Sequence, residues 1–419
     1  MLPALPTEIL EAVVDASRDD LATVAACGAA ARQFLLRSRM HLFAEISLDS
    51  PRANITRTKS SLHVFYPSIP TRCDFLAELL QVNPSLARCV TRLTLSEGGH
   101  PSVTTYWISQ STTLVPFARR LTNLRKFTLR EGNGSEWSPA LIQTLHLCLH
   151  APSIESVELV GLRVTELPSL FTIFSTQRPG KRLQTLHLSN LGVPSAPFGL
   201  STITEHAPEK NRVEVISLGI SSPQVQELVA QQRLLDILSQ SPPLVNLSAL
   251  RRLRLDVDDR SFALQWIQFA GQSLVQLDWE LKYFWSQLVD TSDEDMLLEH
   301  LSTLRFVVIK PEALLAAPAI LRSLKALTLT DIVFYSREAW TSPNEDVGAL
   351  WVTLDSLLSK QFFPSLSAVR FESDIPDSDA TVWHSLLRSK LPTLNKSKML
   401  ALIIRRLCIG INSPSQRIC

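Results

Sequence analysis

"LRRLRL", residues 250–255, places leucines at its first, fourth and sixth positions and arginines between them. Two apolar side chains separated by one polar residue are half of a strand's alternation, one face for a core and one for water. The same spacing recurs along the chain. It is found as Val90-Leu93-Leu95, Leu124-Phe127-Leu129, Ile154-Val157-Leu159, Leu183-Leu186-Leu188 and Val213-Ile216-Leu218. It continues as Leu250-Leu253-Leu255, Leu274-Leu277-Trp279, Leu304-Val307-Ile309, Leu324-Leu327-Leu329 and Leu366-Val369-Phe371. Successive matches start 20 to 42 residues apart.

Helices are expected between these segments. Ser138-Pro139 and Ser222-Pro223 each offer an N-cap followed by proline at the first helical position. "PALIQTLHLCLH" and "PQVQELVAQQRLLDILSQ" follow with helical periodicity, and "TELPSLFTIF", "SFALQWIQFAG" and "DEDMLLEHL" are shorter versions. Short strands alternating with helices imply an α/β fold with one curved parallel sheet lining a solenoid. L-x-x-L-x-L is the strand signature of leucine-rich repeats. The usual asparagine after the strand is missing, with Leu162, Leu191 and Ile332 in its place, so the array is expected to be irregular, with about ten strands.

Composition agrees with a folded chain. At 419 residues it is too long for one simple core, and its 45% hydrophobic and 19% charged content excludes a disordered protein. A net charge of +1 gives no global attraction to nucleic acid or to an anionic membrane. Thirteen glycines leave little for glycine-rich cofactor loops. Six cysteines, at 27, 73, 89, 148, 408 and 419, show no CxxC pairing, as expected of reduced thiols in cytosol or nucleus. No basic-then-apolar leader opens the chain, and "MLALIIRRLCIGI", residues 399–411, is too short to span a bilayer. Asn54, Asn133, Asn246 and Asn395 head N-x-S/T triplets that carry no weight in a chain not expected to be secreted.

The first 48 residues read as a separate helical unit. "LPTEILEAVV", residues 5–14, starts a helix with Pro6 and an acidic first turn, then stacks Ile9 on Val13 and Leu10 on Val14. That apolar surface is too wide for one short helix to leave bare. Asp19 or Asp20 caps a second helix presenting Leu21, Val24 and Ala25, and "AAARQFLLRSRMHLFAEISL" reads as a longer third one. "LPTEIL", "DLATVAACGAAARQF" and "HLF" together resemble an F-box. "CDFLAELLQVNPSLARCVTRLTL", residues 73–95, is similar to the passage into the first strand in fungal, basidiomycete-type F-box proteins with degenerate leucine-rich repeats. The resemblance implies that Leu5, Pro6, Ile9, Leu10, Val13, Leu21, Val24, Phe34, Leu42 and Phe43 carry or support docking on a Skp-type adaptor. Through that adaptor the chain would join a cullin ubiquitin ligase of the SCF type. Ala30 and Ala31 stand where the family has larger apolar residues, and Phe34 where tryptophan is common. The expected organisation is an F-box-like helical domain over 1–48, a polar linker over 49–72, the repeat array over 73–398 and an unassigned tail over 399–419.

Catalytic signatures are missing. His146, Cys148 and His150 form H-x-C-x-H on one predicted helix without a third or fourth zinc ligand at helical spacing. "RPGKRL" lacks the flanking residues of a phosphate loop and reads as a turn into a strand. Asp293-Glu294-Asp295 reads as a helix start. Neither G-x-S-x-G nor H-E-x-x-H is present. No enzymatic activity, cofactor or metal is therefore expected. Strand parity turns Arg92, Lys126, Arg130, Glu158, His187, Arg252, Arg254, Asp278, Glu280, Lys310 and Arg370 to the concave face, where a protein target would be selected by charge. Two other functions stay open: a leucine-rich scaffold whose helical cap binds no adaptor, and an enzyme with a dispersed site. Neither nucleic acid nor membrane is an expected partner.

Overall fold

Strands that all run one way need a return path across a face of the sheet, and among the described residues helices supply much of it. The computed structural model describes residues 6–49, 72–96, 107–130, 138–162, 182–191, 214–222, 246–257, 260–281, 296–336, 346–374 and 377–404, with isolated positions between 232 and 238. The chain divides into two compact units, residues 1–178 with 410–419, and residues 179–409.

The first unit opens with helices α1 (Thr7–Ala16), α2 (Leu21–Ala30) and α3 (Arg32–Leu42), then strand β1 (Glu45–Asp49). After it come α4 (Arg72–Val82), α5 (Pro84–Ala87), β2 (Arg92–Ser96), α6 (Trp107–Gln110), α7 (Leu114–Arg120), β3 (Lys126–Arg130), α8 (Pro139–Leu149) and β4 (Ser156–Val160). β1 to β4 pair in parallel and in chain order. Ile46, Leu93, Phe127 and Val157 lie in one row, Leu48, Leu95, Leu129 and Leu159 in the next, and all are buried.

The second unit holds β5 (Arg182–Ser189), β6 (Glu214–Ser222), β7 (Arg252–Val257), α9 (Arg260–Ala270), β8 (Gln276–Leu281), β9 (Met296–Leu297), β10 (Thr303–Val308), α10 (Ala317–Ser323) and β11 (Leu324–Lys325). It ends with β12 (Asp331–Ser336), α11 (Asp346–Leu357), β13 (Ala368–Ser373), α12 (Asp377–Lys390), α13 (Pro392–Lys396) and β14 (Leu400–Ile404). Its main sheet is parallel, in the order β5-β6-β7-β8-β10-β12-β13-β14, and the two-residue strands β9 and β11 pair apart from it. The inner row Leu188, Ile220, Leu255, Trp279, Phe306, Phe334, Phe371 and Leu402 changes from aliphatic to aromatic and back along the sheet. Phe334 stacks on Phe306 at 5.3 Å and on Phe371 at 4.8 Å between ring centroids.

The α/β class and the parallel sheet are thus as expected. Most repeat matches are too, and the exceptions have one cause. "LSTLRFVVI" offers two frames, and neighbouring strands choose Leu301-Leu304-Phe306 over Leu304-Val307-Ile309, because Leu304 aligns with Leu277 and Phe306 with Trp279. β6 likewise buries Val215, Leu218 and Ile220 instead of the frame starting at Val213. Leu327 is 70% exposed outside any strand, and the true strand there is β12, with Leu329, Ile332 and Phe334 inside. "DEDMLLEHL" contributes β9, not a helix, and Ser222 is the last residue of β6, while the helix expected from Pro223 falls largely outside the described residues. Two repeats were hidden at the ends of the pattern. Phe43-Ile46-Leu48 lies in the stretch read as the end of the third helix, and Met399-Leu402-Ile404 in the stretch read as tail. Most of the expected linker, "TELPSLFTIF", Pro223 and the residues past 404 lie outside the described residues.

Side-chain hydroxyls link neighbouring strands where they begin. Thr91, Ser153, Ser273, Ser302, Thr330 and Ser367 each donate to a main-chain carbonyl where the preceding strand begins, for example Ser273 to Leu250 at 2.8 Å and Ser367 to Thr330 at 3.0 Å. At Ala44, Val275, Ser302 and Thr330 the same carbonyl also accepts two main-chain N–H groups, so the hydroxyl adds a third donor there. After β4 and β5, Gly161 and Asn190 take positive φ of 69° and 52°, and the chain turns Leu162 and Leu191 back into the core. α8 starts as its sequence proposes, with Ser138 accepting from the Leu141 N–H at 3.2 Å and Pro139 first in the helix.

The two faces of a strand should respond differently to truncation. Leu186 is enclosed in β5, so Leu186→Ala is expected to cost about 2–5 kcal/mol through lost burial and a cavity. Arg254 in β7 is exposed, and Arg254→Ala should stay within about 0.5 kcal/mol of wild type. Denaturant midpoints in the opposite order would reverse the assignment of faces.

Candidate functional site

Two surfaces carry the residues singled out above. The first is the helical head. The Pro6 carbonyl accepts from the Ile9 and Leu10 N–H groups at the start of α1. Asp20 caps α2, accepting from the N–H groups of Ala22 and Thr23 at 3.1 and 3.3 Å and from the Thr23 hydroxyl at 2.5 Å. Ala31 is extended and separates α2 from α3, so the third helix is shorter than the stretch "AAARQFLLRSRMHLFAEISL" expected for it, running from Arg32 to Leu42. Leu10, Val14, Val24 and Ser38 form the inside. α2 and α3 approach closely at Gly28, where a Cβ would lie 3.0 Å from the Cβ of Ser38.

A polar clamp ties α1 to α3. Arg37 donates through Nε and Nη2 to the two oxygens of Asp15, at 2.5 and 2.6 Å, and His41 Nε2 lies 2.7 Å from the same carboxylate. The hydrogen bonds from Arg37 and His41 hold the Asp15 carboxyl well below the usual carboxylate range, and the same contact raises Arg37. Because the folded Asp15 value is depressed, its stabilising contribution is fully present above the unfolded value of about 3.9 and is lost as pH falls towards the folded one. Asp15→Asn should therefore accelerate amide exchange in α1 and α3 at pH 7, and the difference from wild type should shrink below about pH 4. A difference that persists unchanged in acid would show that the clamp acts by packing alone.

Outside, Ile9, Val13, Leu21, Leu36 and Met40 are 43–67% exposed, and Pro6 is exposed as well. All three helices of the head thus present bare apolar side chains. This divides the expected adaptor-contact set. Pro6, Ile9, Val13 and Leu21 are free to touch a partner, whereas Leu10 and Val24 are interior and hold the helices together. Phe34, Leu42 and Phe43 are half-buried, and Leu5 lies outside the described residues. Leu36 was not legible as a contact, because a helix with four basic residues gives no clear apolar stripe.

The second surface is the polar face of the sheets. In the first unit it carries Arg92, Lys126, Arg130 and Glu158, with Glu45 from the unforeseen β1. Lys126 Nζ meets Glu158 at 2.7 Å, and Arg92 meets Glu45 at 3.4 Å. In the second unit, His187, Arg252, Arg254, Asp278, Glu280 and Arg370 lie on the expected face. Asp278 is only 3% exposed, with Arg252 at 2.5 Å and Gln276 at 2.9 Å. His187 covers Gly219 so closely that a Cβ there would overlap its ring. Lys310 is not on this face, because the frame of β10 ends at Val308 and Lys310 instead precedes the turn Pro311–Ala316. The same shift of frame brings Arg305 onto this face, and the unforeseen β12 brings Asp331 and Tyr335. Arg305 lies over the Tyr335 ring at 4.9 Å and reaches Glu372 at 3.5 Å, Arg370 meets Asp331 at 3.1 Å, and the Tyr335 hydroxyl donates to Asp374 at 2.6 Å.

On α8, His146 and His150 stack with ring centroids 3.8 Å apart, and burial pushes the Cys148 thiol up to about 12. Among the described residues, groups of three or more potential metal ligands are absent, and no helix is long and apolar enough to cross a membrane. Asp293-Glu294-Asp295 lies outside the described residues. No protein-family model, curated protein or solved structure matches the chain.

Proposed function

We propose that this chain is a substrate-recognition subunit of an SCF-type cullin ubiquitin ligase, working in the cytoplasm or nucleus. In this proposal α1 to α3 form an F-box that binds a Skp-type adaptor, and a leucine-rich-repeat array presents its polar sheet face to a protein target. The observation that carries it is the bare apolar set on α1, α2 and α3: the interior of the head is already filled by Leu10, Val14 and Val24, so Ile9, Val13, Leu21, Leu36 and Met40 are left for another chain. The mechanism is proximity, a raised effective concentration of target beside the catalytic subunits, with no bond chemistry in this chain. Titration of a purified Skp-type adaptor into the full chain tests it by calorimetry. Saturable binding is expected, and its absence would overturn the proposal. A leucine-rich scaffold without ligase association is the second reading, favoured by the exposed face of α2, which is mostly alanine.

A further inference from the structure

The polar face of the first unit's sheet is not flat. A trough of about 620 Å³ crosses β1 to β4, with Thr128 on its floor and Arg92, Lys126, Glu45 and Glu158 along it. The two central cations are neutralised, Arg92 by Glu45 and Lys126 by Glu158. The side chains of Arg125 and Arg130 line the same trough without a hydrogen bond or ion pair among the described residues, and the Nε of Arg130 is sealed from solvent without an acceptor. A guanidinium does not lose its proton, so that orphaned donor cannot be relieved by titration. An acceptor brought from outside relieves it, and the planar fork of arginine fits a carboxylate through two parallel hydrogen bonds.

The surroundings narrow what that acceptor belongs to. The trough is far larger than one small anion and runs across parallel strands, which suits an extended chain. Carboxylates of Glu45, Glu155 and Glu158 line it beside the arginines, and they would repel a polyphosphate backbone carrying a charge at every step. A peptide with spaced acidic side chains avoids that repulsion.

We propose that this trough docks an extended acidic peptide segment of a partner protein, with Arg130 gripping one carboxylate and Arg125 a second. The proposal rests on the reading of the sheet's polar face as the target-selecting surface, and it names the kind of segment selected.

The test uses the full chain and a short fluorescein-labelled peptide of alternating Glu and Ala, followed by fluorescence anisotropy. The peptide should bind, the counterpart with Lys for Glu should not, and affinity should fall as salt is added. Arg130→Ala should weaken binding at least tenfold and Arg130→Lys should recover only part of it, because charge is kept but the fork is lost. Neither variant should melt earlier than wild type, since the Arg130 side chain gives up no polar partner among the described residues. Arg125→Glu, on an exposed side chain, should weaken binding without any cost in folding. No binding of the acidic peptide at millimolar concentration, or equal binding by wild type and Arg130→Ala, overturns the proposal. So does duplex DNA that displaces the peptide in an Arg130-dependent way. Adaptor titration separates this from the ligase proposal: adaptor binding without peptide binding ends only the trough, and peptide binding without adaptor binding ends only the ligase.

Discussion

Phe334→Ala is expected to lower the unfolding free energy of the second unit by about 3–5 kcal/mol. The ring of Phe334 is fully enclosed, stacked between Phe306 and Phe371, with Trp351 5.9 Å from Phe371 between ring centroids. Truncation removes both aromatic contacts, about 0.5–1.5 kcal/mol each beyond burial, and leaves a hole in the row. The hole cannot close easily. β12 is hydrogen-bonded on both sides, in register with β10 and β13, so its backbone has little freedom to move inwards. Urea midpoints of wild type and variant provide the measurement, with an unchanged slope showing that stability alone has moved. A loss below about 1 kcal/mol would mean that the aromatic row is not the core it is taken to be.

The second large effect concerns the head. Ile9→Asp combined with Val13→Asp should weaken adaptor binding at least a hundredfold, about 2.7 kcal/mol. Both side chains are about half exposed and one turn apart on α1, so aspartates there meet water in the free protein. In a complex the same carboxylates would be pressed into an apolar contact without partners, a cost of several kcal/mol. Apolar anchors at an interface centre dominate the binding energy, which is why two substitutions suffice. Melting temperature should change little, because Leu10 and Val14, about 100° further round α1, keep the interior intact. Wild-type affinity in the double variant, with the adaptor still binding, would move the docking surface to α2 and α3. Lost binding accompanied by an early melt would instead point to damage to the head.

Much of this was legible because the chain writes its strands in a short period. Where the triplet is isolated by polar neighbours, as at Leu250-Leu253-Leu255 or Ile154-Val157-Leu159, parity alone identifies the inward side chains and the polar face. Arg92, Lys126, Arg130 and Glu158 followed from that parity. The head was legible in a different way, since Pro6, Asp20 and the i, i+4 pairs mark helix starts and faces by local chemistry. Parity failed where apolar residues are crowded. In "LSTLRFVVI" each candidate frame buries hydrophobic side chains, so Lys310 was assigned to a face it does not occupy and Arg305 was missed, while Tyr335 was missed because Leu327 was taken for a strand centre in place of β12.

The amino-acid sequence by itself determined the alternation of strand and helix, the parallel direction of the sheet and which residues of the unambiguous repeats face its polar side. Local propensity and spacing suffice for these, because each depends on residues a few positions apart. Tertiary structure alone decided the frame of β6, β10 and β12, the recruitment of β1 and β14, and the split of the head into a filled interior and a bare exterior. Each of those depends on a partner tens of residues away: Trp279 for Phe306, Leu93 for Ile46, Arg37 for Asp15. The orphaned Nε of Arg130 belongs to the same class, because a missing partner can be seen only once the neighbouring strands are in place.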